Sequence, residues 1–247
     1  VASEELVLGM NGAGIREATS SPIRPMFLLA DSQLLFFRDA GGLFLDRVLE
    51  AVGPVEEPVR AAYLGASNGD VPEFYDIFVA AMEGAGVRAC RMIPASPSDD
   101  DRAFLDGAHV ILLAGGDAER GWRAFQGAGL VDRIIARYAA GAVLIGISAG
   151  AMQLGLRAWT GQGKGFDTFR LAPMLVAVHD EPEWTRLADA VTAMEGMGRG
   201  IGIPLGGGAV IHADLSVEPV RKGLVEFTAE EGVVRRALLY PGEGETK

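Results

Sequence analysis

Cysteine is nearly absent from this chain: Cys90 is the one thiol in 247 residues, so no intrachain disulfide is available to it. A chain of this length can bury enough apolar surface to fold without one, and a reducing, cytoplasmic setting is the expectation. Cys90 falls in the apolar run Val87–Ile93, where packing explains it better than reactivity does. Histidine is scarce as well, at three residues, and no group of histidine, cysteine or acid has metal-ligand spacing. Neither a metal nor any other cofactor is expected. Positive charge is in deficit: 22 Lys and Arg against 33 Asp and Glu give a formal net charge of −11, with no large basic cluster. Such a surface repels phosphate backbones, which argues against a nucleic-acid partner. The start, Val1–Asn11, has no basic segment leading into an apolar one and does not read as an intact secretory signal. The charge-free stretch Tyr138–Leu156 is long enough to cross a bilayer. Its glycines, Ser148 and Gln153 fit a buried strand entering a helix better, so no membrane association is expected.

Glycine, by contrast, is plentiful at 34 residues, much of it set between short apolar runs. That is the punctuation of an α/β protein with tight strand-to-helix turns. The runs predict strands at Met26–Leu29, Ala61–Leu64, Val87–Ile93, Val110–Leu113 and Val143–Ile147. Near-continuous apolar strands belong to parallel sheets covered by helices on both faces. Helical patterns lie between them: Pro72–Glu83 opens with proline and stops before Gly84, and Leu130–Ala139 stops at Gly141. Ser98 followed by three aspartates reads as a capped acidic first turn rather than a metal site. After Gly155 the texture changes. Arg157–Arg170 reads as a polar loop, followed by a strand at Met174–Val178 and a helix near Glu183–Met194. Short strands are expected at Ile201–Ile203 and Ala209–Ile211, and a hairpin within Val225–Leu239. With no repeat or linker visible, residues 1–247 read as a single doubly wound α/β domain with a mainly parallel central sheet.

The clearest chemical signal is Gly146-Ile147-Ser148-Ala149-Gly150, a G-x-S-x-G placed where a buried strand becomes a helix. Glycines on both sides permit a strained turn that lifts the serine hydroxyl out of the sheet. The helix start favours developing negative charge, and the Ala149 N–H is placed to hold an oxyanion. Gly115-Gly116-Asp117 follows the preceding predicted strand, so in a parallel sheet it reaches the same edge. Gly116 is therefore a candidate for the second oxyanion donor, although a plain helix-entry turn capped by Asp117 is the competing reading. A nucleophilic serine needs a base. His109 opens an apolar strand and His212 closes one, so both read as structural. His179 ends the Met174–Val178 strand ahead of a polar loop, which is where an edge-of-sheet site would place it.

These motifs together resemble the S51 serine peptidases, the aspartyl dipeptidase (peptidase E) and cyanophycinase group. The resemblance runs through Asp106–Asp117, Gly129-Leu130 and Gly141–Ala151. It continues through Gly165-Phe166-Asp167, Pro173, His179, Arg186-Leu187 and Gly200–Pro204, spanning roughly residues 60–215. It implies a class I glutamine-amidotransferase-like (flavodoxin-like) fold and a metal-free mechanism. Ser148 would be the nucleophile, His179 the base, and the Gly116 and Ala149 N–H groups the oxyanion donors. It implies a small peptide as substrate, with Asp-containing peptides one option and the side-chain preference left open, and allows a homodimer. Two departures stand out: Asp117 replaces the family's usual amide, and Pro204-Leu205 stands where many members carry an acid. The residue orienting His179 is thus left open between Asp167 and, next, Glu181 or Glu183. For an acidic substrate, Arg170, Arg186 and Arg157 are the arginines near the proposed site, with Asp117 a further substrate contact. Two other readings stay open: an α/β-hydrolase-type esterase, which would use His212 as base, and a catalytically silent binding protein on the same scaffold.

Overall fold

A computed structural model describes residues 23–194, 197–230 and 233–242; Val1–Asn11 lies outside them. Strands β1 (Met26–Leu29), β2 (Arg60–Leu64), β3 (Ala89–Ile93), β4 (Val110–Leu113) and β5 (Val143–Ile147) supply the parallel part of the central sheet. They are followed by β6 (Leu175–Val178), β7 (Gly198–Ile203), β8 (Gly208–Ile211), β9 (Val217–Val220), β10 (Leu224–Glu230) and β11 (Val233–Leu239). The central sheet has seven strands in the order β9-β8-β1-β5-β4-β2-β3. Pairing is parallel from β1 to β3, and β8 and β9 add an antiparallel edge beside β1. This is the mainly parallel α/β architecture expected from the sequence.

Strands β1, β4 and β5 are buried along their whole length, which is why their sequences show no alternation. Successive residues instead divide between two cores. Met26, Leu28, Ile111 and Leu144 pack on one face, and Phe27, Leu29, Leu112 and Ile145 on the other. On the second face lie α1 (Phe44–Val52) and α2 (Pro72–Gly84), whose Val48 and Phe78 join that core. The first face is covered by α3 (Asp99–Asp106), α4 (Ala118–Gly127), α5 (Leu130–Ala139) and α6 (Ala149–Leu154). Each fully buried Phe or Leu contributes about 1.5–3 kcal/mol. The α3 start is closed by a reciprocal cap, with the Asp101 N–H donating to Ser98 Oγ and the Ser98 N–H to the Asp101 carboxylate.

The later chain departs from a single wound sheet. Strands β6, β7, β10 and β11 form a second sheet in that order, with β6 and β7 parallel and the rest antiparallel. Met174, Val176, Ile201 and Ile203 nevertheless share one core cluster with Met26 and Leu144, so the two sheets enclose common apolar contents. Helix α7 (Thr185–Thr192) lies against β7. A Cβ at Gly200 would stand 2.7 Å from Leu187, and one at Gly202 2.6 Å from Trp184. The alternate glycines of β7 thus make room for α7. The segment read as a loop after Gly155 contains a two-stranded ribbon, Arg157–Trp159 with Gly165–Asp167. Its turn is closed by the Thr160 N–H donating to the Lys164 carbonyl, a local bond that a polar, glycine-rich sequence does not advertise. No helix among the described residues is long and apolar enough to cross a membrane.

Candidate active site

The carboxyl ends of β1, β5, β4 and β2 are neighbours, so the loops that leave them share one edge of the sheet. From β2 the chain runs outward to β3, and from β4 it runs inward to β5. That divergence opens a crevice, the usual place for a ligand in open α/β sheets. A cavity of about 300 Å³ lies here, and Ser148, His179, Gly115 and Gly116 all line it.

Ser148 follows β5 and precedes α6 with φ 49° and ψ −105°, a region that residues with side chains rarely adopt. Its backbone is held at both ends: the Ser148 N–H donates to the Leu29 carbonyl at 2.8 Å, and its carbonyl accepts from Met152 N–H at 3.1 Å. The motif glycines are required by packing around this turn. A Cβ at Gly146 would stand 2.7 Å from the Ala151 nitrogen, and one at Gly150 would overlap the Leu113 carbonyl. Helix α6 therefore sits backbone to backbone on the sheet. The first peptide N–H after the serine belongs to Ala149, the first residue of α6.

The glycine loop after β4 lies directly against the serine. A Cβ on Gly115 would be 3.3 Å from the Ser148 Cβ. Gly116 has φ 131°, and a side chain there would overlap the Ser67 carbonyl. The Asp117 N–H donates to that same carbonyl at 2.8 Å, locking this loop to the one after β2. Behind them Gln153 is fully buried, its amide donating to the Ala118 carbonyl at 2.9 Å and to Ser67 Oγ at 3.3 Å.

His179 follows β6 with φ 61° and is an exposed residue of the cavity lining. Its N–H donates to the Ile203 carbonyl of β7 at 3.4 Å, so the second sheet carries His179 while the first carries Ser148. His212 is elsewhere. Ile211, just before it, pairs with Met26 at the start of β1, whereas Ile147, just before Ser148, pairs with Leu29 at its end. The two residues stand at opposite edges of the sheet, and His212 bonds Glu218 at 3.0 Å. His109 is also structural: its Nδ1 accepts from the Arg60 N–H at 3.0 Å. Burial, then Arg137 and Arg60, hold its pKa below the ordinary histidine value.

The remaining candidate residues fall outside this cavity. Asp117 caps α4, accepting from the Arg120 N–H at 2.9 Å, which is the helix-entry role weighed against substrate contact. Asp167 lies on the ribbon, 66% exposed, paired with Arg157 at 3.3 Å. The Glu181 carboxylate accepts from the Leu205 N–H at 2.7 Å, tying the loop after β6 to the Pro204-Leu205 departure. Arg170 is exposed at φ 58°. Arg186 lines a smaller adjoining cavity of about 190 Å³ that shares His179 and also holds Asp180, Trp159 and Met152.

Sequence reasoning missed most of the cavity wall. Asp31 comes from the loop after β1, where its carboxylate accepts from Gln33 N–H at 2.9 Å and from Gly206 N–H at 2.6 Å. Asn68 donates to the Tyr63 hydroxyl at 2.7 Å and accepts from Val71 N–H at 3.2 Å. Burial first, and Asp70 to a lesser degree, raise the Tyr63 phenol above its ordinary pKa despite that bond. Leu35, Phe74, Ile77 and Phe78 complete the wall. Among the described residues no cluster of His, Cys, Asp and Glu has the arrangement of a metal site.

A serine on a strained strand-to-helix turn that shares one cavity with a glycine loop and a histidine is an arrangement suited to hydrolysis on an α/β scaffold. The sequence profile of peptidase family S51 matches residues 60–210, which cover this edge from β2 to β8, and the chain belongs to that family. Two crystal structures share the fold. A peptidase from an acI-B1 Actinobacterium is 15% identical, with a TM-score of 0.65 over 90% of this chain and 96% of the other. A protein provisionally described as a peptidase E from Listeria monocytogenes EGD-e is also 15% identical, with a TM-score of 0.55 over 80% of this chain and 98% of the other. No curated protein sequence matches the chain.

Proposed function

We propose that this protein is a serine exopeptidase that hydrolyses dipeptides or other short peptides through an acyl-enzyme, with Ser148 as nucleophile and His179 as base. One observation carries the reading: Ser148, held on strained backbone, lines a single cavity with His179 and the Gly115-Gly116 loop. The Ser148 oxygen attacks the peptide carbonyl carbon while its proton passes to His179. The Gly116 and Ala149 N–H groups take up the charge on the carbonyl oxygen. His179 then gives the proton to the departing amine as the C–N bond breaks, and a water activated by the same ring releases the acyl group.

The size of the cavity, about 300 Å³, stands at the small end of ligand pockets and favours a short substrate. Among the described residues that line it Asp31 is the one carboxylate, and it complements a free α-ammonium. Amino-end recognition follows from that placement. A cytoplasmic location accords with the lone thiol.

The test is a panel of free and end-blocked di- and tripeptides, with products read by mass spectrometry and Ser148 probed by a fluorophosphonate. Wild type should cleave free peptides and be labelled, and Ser148→Ala should do neither. His179→Ala should lose at least about 1,000-fold in kcat/KM, and His212→Ala should stay near wild type. Loss at His212 with His179 dispensable would favour the esterase reading. Intact peptides together with an unlabelled Ser148 would leave a silent binding scaffold.

A further inference from the structure

The wall beside Ser148 has a marked chemical bias. Its floor is made by Leu35, Tyr63 and Phe78, all 3% exposed or less, with the Tyr63 and Phe78 rings 5.4 Å apart. Its rim is made by Phe74 and Ile77 of α2, which are 50% and 38% exposed. Two large apolar side chains side by side at the mouth of an apolar cavity suit an apolar ligand group. Among the described residues, neither lysine nor arginine lines the cavity, and the one carboxylate that does is Asp31. An anionic substrate side chain would lose its hydration there with no cation to meet it and would face a like charge. Arg186 lines the adjoining cavity that shares His179, and the Arg120 guanidinium is taken up by the Ser67 carbonyl.

We propose that the residue on the acyl side of the scissile bond is apolar, a leucine- or phenylalanine-like side chain, and not an acidic one. The side chain lies between Phe74 and Ile77 at the rim and Phe78 and Leu35 at the floor. The carbonyl is thereby turned toward Ser148, and the α-ammonium toward Asp31. This rests on the peptidase reading for its orientation. The pocket's preference is a property of its wall and can be measured without turnover.

Ser148→Ala protein, which cannot consume a substrate, is titrated by calorimetry with Leu-Ala, Phe-Ala and Asp-Ala. Burying one apolar side chain should make the first two bind at least about tenfold more tightly than Asp-Ala. Ile77→Arg in the same background, which sets a cation at the exposed rim without touching the floor, should narrow or reverse that ratio. Asp-Ala binding as tightly as Leu-Ala, or no binding by any of the three, would overturn the proposal. If wild type leaves every peptide intact while the titration still ranks apolar above acidic, the hydrolase reading fails and the pocket's preference stands. If wild type cleaves Asp-Ala fastest, the reverse holds.

Discussion

Replacing Ser148 by glycine should raise the stability of this protein while abolishing its activity. Ser148 sits at φ 49° and ψ −105°, where a residue with a Cβ costs about 1–3 kcal/mol and glycine very little. Part of that relief is lost because glycine is freer in the unfolded chain, by about 0.4–1 kcal/mol. The appropriate reference is Ser148→Ala, which also lacks the hydroxyl but keeps the Cβ and therefore the strain. The balance favours the glycine variant by about 0.5–2 kcal/mol. For a domain of this length 1 kcal/mol moves Tm by about 2–4 °C, so glycine should melt about 1–8 °C above alanine. Scanning calorimetry on the two variants reads this directly, and both should be inert toward peptides. Equal melting points, or a lower one for glycine, would refute the argument that the fold holds this serine against its own backbone preference.

Gly116→Ala meets the Ser67 carbonyl and keeps φ at 131°, so it should lose about 2–4 kcal/mol of stability and slow fluorophosphonate labelling about 100-fold. Gly127→Ala, with open space around its Cβ, should do neither, and equal behaviour of the two variants would reject the loop's role. His109 titrates below its ordinary value of about 6.5, chiefly because it is buried, and its neutral Nδ1 accepts a backbone N–H. The fold therefore prefers the neutral ring. Stability is full above about pH 6.5 and is lost as pH falls toward the depressed folded pKa. Denaturation at about pH 7.5 and 5 should show a smaller loss for His109→Gln than for wild type; equal losses would exclude His109 as the source. Burial, reinforced by Glu83, pushes the Cys90 thiol up to about 11. Its reaction with a disulfide reagent near pH 8 should be about a hundredfold slower in the folded protein than after denaturation, and comparable rates would contradict the burial argument.

The parts of this molecule that were legible in the sequence are those whose causes are local. Strands β1, β4 and β5 were bounded to the residue because a segment covered on both faces must be apolar throughout. Ser148 could be read because its strained turn needs small neighbours on both sides. The position of His179, at a strand end ahead of a polar loop, is visible in its flanking runs, and it lines the same cavity as Ser148. Pairing between distant segments could not be read this way. That β7 joins β6 and β10 in a second sheet depends on partners far apart in the chain, and its alternating glycines hide it by leaving little apolar pattern. The cavity wall was lost for the same reason: Asp31, Tyr63, Asn68 and Phe74 come from separate loops and a helix that only strand order brings together. Family likeness points Asp117 at the substrate, whereas the first turn of α4 uses it as a cap.

Helix α6 rests on the sheet with no side chain between Gly150 and the Leu113 carbonyl, and Gly146 is equally hemmed in by the turn that follows. The spacing of the G-x-S-x-G signature is thus imposed by the way a helix is laid on a strand, whatever residue occupies the middle position. A descendant of this protein that lost its chemistry would still need both glycines to fold. On the proposed mechanism, a search for working relatives is keyed to the serine and the histidine together, and not to the glycines, which inactive copies would retain as faithfully as active ones.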